Sequence, residues 1–366
     1  MKKIYLLAQQ LNAGGVEKCI CLLANAFIKQ GYKVSIVSLL TSSKILELDT
    51  SVEVKFLTRF KSDRDRNNSL IYKLFRKLFT FSKLKKEIKK INNAIIISSR
   101  NEYTKILSKY GNSSQIKIGH LHSDHKFDES LLNDFKYNYA NINYFVHLTQ
   151  IVCDEITDVM KPYNKFTKNV YIPNFVSEYV CNDEISRKNF VISVGRFSKE
   201  KGFDRLLEIW SKVIEKEKGW KLLLIGDGSQ KDNYMNVIKE KNMTDYIEMP
   251  GFLDNLEAMK LMNLSKIYAL PSYEESFSLT CVEAMQNKLP IVSFDIRTGP
   301  KMLVKNEENG FLVENGNIDL FVEKLLYLMK NEDIRILYGK NGYIYSEQFV
   351  EKSVIDKWLL LFNREI

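Results

Sequence analysis

Short apolar runs alternate with longer amphipathic stretches along the whole chain. "KIYLLA" at 3–8 leads into the polar, glycine-containing "QQLNAGG". "VEKCICLLANAFIKQ" follows, with Val16, Ile20, Leu23 and Phe27 at helical spacing on one face. Gly31 stops that helix, and "KVSIVSLL" is the next strand. Strand, helix, strand in this order predicts parallel strands joined by a helical crossover. "AIIIS", "IKIGHLH" and "YFVHLT" continue as strands. The pattern restarts at "FVISVG", with "GFDRLLEIWSKVIEK" as a helix. "KLLLIG", "YIEMPG", "IYALP", "PIVSF" and "GFLV" then alternate with helices. These strands are short, apolar and β-branched, as strands covered on both sheet faces are. A polar segment, "IPNFVSEYVCNDEISRKN", separates the blocks. The expected class is α/β, with Rossmann-like domains over 1–178 and 179–347. A last helix, 348–366, offers Trp358, Leu361 and Phe362 to pack back on the first domain.

Length and charge sharpen this picture. A chain of 366 residues agrees with two domains. No apolar run approaches the ~20 residues that span a bilayer, and Ile4 to Ala8 is too short for a signal-peptide core. Cys19, Cys21, Cys153, Cys181 and Cys281 have no metal-like spacing, and their odd number fits a reducing cytoplasm. The net charge of +9 is split unevenly: 28 Lys+Arg against 16 Asp+Glu in 1–180, a net of +12, and 26 against 29 beyond, a net of −3. The excess peaks in "YKLFRKLFTFSKLKKEIKK", where aromatics interleave with cations. A solvated helix face, an anionic membrane surface and nucleic acid are three readings of it. No nucleic-acid module signature accompanies the third.

Several motifs carry chemistry. In "PSYEESFSLTCVEAM" (271–285), Glu275 follows a strand end and Glu283 lies eight positions on, in a helix that starts near Ser278. A helix N-terminus suits a phosphate, and carboxylates beside it can take sugar or ribose hydroxyls. The bland reading is an ordinary helix with a capping acid. In "VGRFSKEKGFDRL" (194–206), Arg196 and Lys201 could clamp a diphosphate or form a solvated basic turn. Gly14 and Gly15 allow close backbone approach and positive φ. G-x-G-x-x-G is absent, and "GDGS" (226–229) reads as a turn. His120, His122 and His125 cluster without a fourth metal ligand at an evident spacing, whereas His122 can face a sugar hydroxyl. His147 reads as a satisfied strand residue, and Asp63-Arg64-Asp65 as a charged loop and not a metal site.

Taken together, "GGVE", "IPN", "VGRFSKEKG", "LLLIGDG", the Glu-x7-Glu segment and "NGFLV", in this order, resemble the family 4 retaining glycosyltransferases of the GT-B fold. The resemblance implies two Rossmann-like domains facing each other across a cleft, the first for the acceptor and the second for a nucleotide-sugar donor. It implies that Arg196 and Lys201 hold the donor diphosphate, Glu283 the ribose and Glu275 the donor sugar. Backbone N–H groups of Phe277, Ser278 and Leu279 would bind donor oxygens. The base would lie by Gly251, Phe252 and Leu253. Gly14 and Gly15 would let the first domain close over the phosphates, with His122 by the sugar's primary hydroxyl. The chain departs from the family at Ser276 and Ser278, where glycines are frequent, and at Lys18, where Arg is.

The implied enzyme is a hexosyltransferase that uses a UDP-sugar, with no metal or other cofactor. Its expected partners are a lipid-linked saccharide acceptor and an anionic membrane surface, with no nucleic acid. Its expected setting is bacterial capsule or exopolysaccharide assembly, in the cytoplasm on the inner face of the cell membrane. The alternatives are a nucleotide-sugar epimerase or sugar phosphorylase on the same fold, a nicotinamide-dependent dehydrogenase, and a non-catalytic membrane-associated binding protein.

Overall fold

A computed structural model describes residues 2–363, apart from 13, 43–46, 62–69, 123, 125, 127–128, 180 and 183. His125 and Asp63-Arg64-Asp65 lie outside the described residues. The chain forms two compact units, Met1–Phe175 with Glu351–Ile366, and Val176–Val350.

The first unit runs β1 (Lys3–Ala8), α1 (Gly15–Lys29), β2 (Val34–Ser38), β3 (Glu53–Phe56), α2 (Leu70–Lys90), β4 (Ala94–Ser98), α3 (Asn101–Tyr110), β5 (Ile116–His120), α4 (Glu129–Asn133), β6 (Tyr144–His147), α5 (Gln150–Met160) and β7 (Lys168–Tyr171). Among the described residues, its strands form one sheet in the order β3-β2-β1-β4-β5-β6-β7. Every pairing is parallel. β2, β4, β5 and β6 are buried at every position, as strands covered on both sheet faces are, and they carry Ser35, Ser38, Lys117, His120 and His147 into the interior with their apolar residues.

The second unit runs β8 (Phe190–Val194), α6 (Phe203–Lys216), β9 (Lys221–Ile225), α7 (Lys231–Glu240), β10 (Ile247–Gly251), α8 (Asn255–Leu264), β11 (Ile267–Leu270), α9 (Leu279–Gln286), β12 (Ile291–Asp295), α10 (Gly299–Leu303), β13 (Gly310–Glu314), α11 (Ile318–Lys330) and α12 (Glu332–Ser346). Its sheet order is β10-β9-β8-β11-β12-β13. These pairings too are parallel. Its core is centred on Trp210, Phe203, Phe294 and Phe321.

α13 (Glu351–Asn363) packs in the first unit. Trp358 and Phe362 are buried against Phe27 of α1, with ring centroids 5.9 and 5.4 Å away, and Lys29 pairs with Glu351 at 2.8 Å. The unit boundaries differ from the expected 178/179 and 347/348. Val176 N–H donates to the Phe349 carbonyl at 3.1 Å, and Val176 bridges Val350. These two segments thereby pair inside the second unit, which takes 176–178 and 348–350 with it.

The sequence pattern did not signal β3 or β7. Both are sheet edges with half-exposed or exposed residues, so neither carries the apolar run of a central strand. β3 is secured by Glu53, which accepts from Lys3 and Ser35.

Candidate active site

In the second unit the strand order reverses between β8 and β11, because β9 and β10 lie on one side and β12 and β13 on the other. Open parallel sheets bind ligands beyond the carboxyl ends of their strands at such a reversal. The loop leaving β8 carries Arg196 and Lys201, and the loop leaving β11 carries Glu275.

Lys201 Nζ lies 2.7 Å from Glu275 Oε1, and Ser272 donates its hydroxyl to the same oxygen at 2.9 Å. Glu275 is buried, whereas its neighbour Glu274 is exposed, so the inward-facing carboxylate belongs to Glu275. Arg196 stands on the same turn as Lys201 but is exposed, and it pairs with Glu200 at 3.1 Å. Ser198 donates to Glu200 at 2.6 Å. Burial of Glu200 opposes ionisation, but this hydroxyl and the two neighbouring cations outweigh it and hold the carboxyl below its ordinary range.

The loop carrying Glu275 is fastened from three sides. Arg205, in the first turn of α6, donates through Nε and Nη2 to the carbonyls of Pro271 and Ser272. Its Nη1 reaches Asn315 at 2.9 Å. The guanidinium lies between the rings of Tyr273 and Phe294, 4.1 and 3.8 Å from their centroids. Burial lowers its pKa to about 10, partly offset by Tyr273 and Asp204. Gly202 has φ 66, and a side chain there would collide with the Pro271 carbonyl, so only glycine lets this turn meet the loop. From the far side, Thr298 donates its hydroxyl to the Glu275 carbonyl, and Gly299 N–H donates to it at 3.3 Å. Tyr273 N–H donates to the Glu200 carbonyl at 2.9 Å. The cation-bearing turn and the carboxylate-bearing loop therefore behave as one piece.

α9 begins at Leu279 and buries Glu283. Phe277 is buried against Phe349, with ring centroids 5.6 Å apart. Ser278 has φ 75 and ψ 81, in the left-handed region that costs a side-chain-bearing residue about 1–2 kcal/mol. This departure from the glycine-rich pattern thus falls where glycine would be unstrained. Cys281, in α9, is buried among Glu275, Lys201 and Glu283, and burial raises its thiol to about 12, leaving it inert at neutral pH. Gly251 ends β10 with φ 87 and accepts from Gly226 N–H at 2.9 Å. Phe252 after it is exposed and Leu253 half-buried.

The remaining expected residues lie in the first unit. Gly14 and Gly15 follow β1, and neither uses the positive φ that a glycine allows. Gly14 is extended at φ 179 and Gly15 is already helical. At Gly14 the missing side chain serves space instead, because one there would collide with the Glu17 carboxylate. At Gly15 a side chain would meet nothing. Glu17 is buried, with Arg100 at 3.7 Å. His122 follows β5, and its Nδ1 lies 3.5 Å from Asn174 Nδ2. Its Nε2 is buried with no hydrogen-bond partner among the described residues. Burial, then Arg100, lower its pKa to about 4, so the imidazole is neutral near pH 7. The His120 ring lies 4.4 Å away, tilted by 56°, and burial depresses its pKa further. His147 is satisfied by Asn169 at 2.8 Å.

Arg205, Ser272 and Thr298 were not singled out from sequence. Arg205 reaches partners 66, 67 and 110 positions away and Thr298 one 23 away, and nothing in an Arg or Thr letter marks which carbonyl it will reach.

Two parallel α/β units, each built on its own sheet, are the architecture of the GT-B fold. Residues 182–344 match the family described as Glycosyl transferases group 1. The chain is 26% identical over 371 residues to an uncharacterized glycosyltransferase of Haemophilus influenzae, covering 98% of this chain and 99% of that one. It is 23% identical over 372 residues to an α-1,4-N-acetyl-D-galactosaminyltransferase of Campylobacter jejuni whose name specifies a glycan on undecaprenol diphosphate, with 99% and 98% covered. Among solved structures, a mutant of Staphylococcus aureus TarM, in complex with fondaparinux, α-GlcNAc-glycerol and UDP, superposes with a TM-score of 0.82 at 18% identity, over 99% of this chain and 100% of that one.

Proposed function

We propose that this chain is a family 4 enzyme that transfers a hexose or N-acetylhexosamine from a UDP-sugar to a lipid-linked saccharide, with retention of configuration, in bacterial surface-polysaccharide assembly. The observation that carries this reading is the Lys201–Glu275 pair at the strand reversal, with Arg196 on the same turn and Glu283 on the helix that follows. The Campylobacter relative's lipid-diphosphate acceptor and the UDP bound to TarM support the choice of acceptor and nucleotide.

In this mechanism Arg196 and Lys201 meet the donor diphosphate, and the N-terminus of α9 adds backbone N–H groups. Glu283 takes the ribose hydroxyls, Glu275 the donor sugar, and Gly251, Phe252 and Leu253 border the base. The bond from the anomeric carbon to the diphosphate oxygen breaks while the acceptor oxygen bonds on the same face. The acceptor proton passes to the departing phosphate. Charge grows on the leaving diphosphate, and fixed cations stabilise it more than they stabilise the bound donor. Those cations fill the part a divalent metal plays elsewhere, so transfer proceeds in EDTA. His122, neutral at pH 7, offers a hydrogen bond to a sugar hydroxyl and no charge. The net +12 of residues 1–180 favours an anionic membrane surface on the cytoplasmic side.

The test is incubation with UDP-sugars, with and without lipid-linked saccharide, in EDTA. Acceptor-dependent UDP release with an anomerically retained product is expected. Sugar interconversion without acceptor would identify an epimerase instead, and a requirement for phosphate a phosphorylase.

A further inference from the structure

The first half of α2 carries a surface that the site above does not use. Leu70, Ile71, Leu74, Phe75 and Leu78 are between 58% and 83% exposed. At ~100° per residue they fall in one stripe about 140° wide. The helix is anchored elsewhere, by its buried residues Thr80, Leu84 and Ile88. A contiguous exposed apolar stripe marks an interaction surface.

Charge identifies its occupant. α2 holds eight Lys and Arg against one acid, Glu87, which Lys55 already pairs at 2.6 Å. Lys85 and Lys89 continue the line of the stripe toward the helix C-terminus, over the ring of Tyr110 at 4.2 and 5.6 Å. An apolar tip followed by a cationic band suits a helix whose end enters the acyl boundary while its lysines meet anionic head groups. A second copy would set like charges against each other. Nucleic acid has no acyl layer for five apolar side chains.

Position adds a functional consequence. Phe60, beyond the end of β3, packs its ring on Tyr72 and Phe79 at 6.3 and 5.9 Å, and its carbonyl accepts from Thr41 N–H, beyond the end of β2. The stripe therefore lies at the carboxyl edge of the first sheet, the edge from which Gly14, Gly15 and His122 emerge. We infer that the first half of α2 inserts into an anionic bilayer and holds this edge at the head-group layer, where a lipid-linked acceptor presents its sugar. The inference rests on the lipid-linked acceptor proposed above.

The experiment uses the full chain with phosphatidylcholine vesicles, with and without phosphatidylglycerol. Leu74→Trp supplies a reporter, since Trp210, Trp220 and Trp358 are all buried. With anionic vesicles, brominated acyl chains should quench the added emission. Leu74→Ser with Phe75→Ser should weaken vesicle association about tenfold or more, given the apolar area removed, with UDP binding unchanged. Several results would overturn the insertion: vesicle binding without quenching, binding unaffected in the double variant, no preference for anionic vesicles, or a lipid-free emission shift accompanied by dimerisation. Failure of the unsubstituted protein to bind UDP would strike the glycosyl-transfer reading instead, so the two failures are separable.

Discussion

Arg205→Met separates the fastening of the Glu275 loop from the stability of the domain. The substitution keeps most of the side-chain volume but removes the donors to the Pro271 and Ser272 carbonyls and to Asn315. Each buried carbonyl left without a donor costs about 1–3 kcal/mol. Against this, the depression of the guanidinium from 12.5 to about 10 corresponds to about 3 kcal/mol of burial cost that the variant no longer bears. The two carbonyls together cost about 2–6 kcal/mol, so the terms largely offset and the expected net destabilisation is no more than about 3 kcal/mol. Turnover should fall much further. A shift of about 1 Å in the Glu275 loop relative to Lys201 is worth on the order of 100-fold. Steady-state kinetics with saturating donor, paired with urea denaturation, measures both. Arg205→Lys keeps the charge but cannot bridge two carbonyls in the plane of a fork. It should recover stability more than turnover, and added guanidinium should partly restore kcat in Arg205→Ala. Wild-type kcat in Arg205→Met, or a loss that tracks the unfolded fraction alone, would refute the fastening role.

Four further outcomes follow from the same structure. Lys201→Ala should lower turnover about 100- to 1,000-fold, and adding Glu275→Gln should restore stability but not activity, because the second change removes the carboxylate left buried without its cation. Arg196→Ala should lower turnover comparably yet leave the denaturation midpoint within about 0.5 kcal/mol, since its pair with Glu200 is exposed. Trp358→Ala should cost about 3–5 kcal/mol and loosen α13 from α1, read by hydrogen exchange across 351–363. Stability should rise as pH increases from about 4 to 6.5: the unfolded chain binds a proton at His122 in this window while the folded one, with its pKa near 4, does not. That difference is worth about 3 kcal/mol, and denaturation midpoints that fall across the window would contradict it.

Much of the architecture was legible because its signals are local. Central strands such as Ala94–Ser98 carry an unbroken apolar run, here Ala94 to Ile97, and the helix opening at Gly15 carries its buried face in its own spacing. The edges were not legible. Glu53–Phe56 and Lys168–Tyr171 owe their strand state to one neighbour each, and their composition resembles a loop. In the site, Glu275 could be chosen over Glu274 by its spacing to Glu283, and burial separates the two in the same way. A glycine pair permits positive φ but does not demand it, and here the gain is room at Gly14 beside Glu17. Arg205 and Thr298 could not be found, because their roles exist only once chain segments distant in sequence meet at β11.

The most direct test is the binding of UDP to the purified chain in EDTA, measured by thermal shift and calorimetry beside GDP, ADP and NAD, and repeated in Lys201→Ala. A ligand that prefers the folded state raises its melting temperature by mass action. A rise with UDP that persists in EDTA, is absent with NAD and is lost in Lys201→Ala is the expected result. A response to NAD alone, or a UDP response indifferent to Lys201, would contradict a donor site built on the Lys201–Glu275 pair.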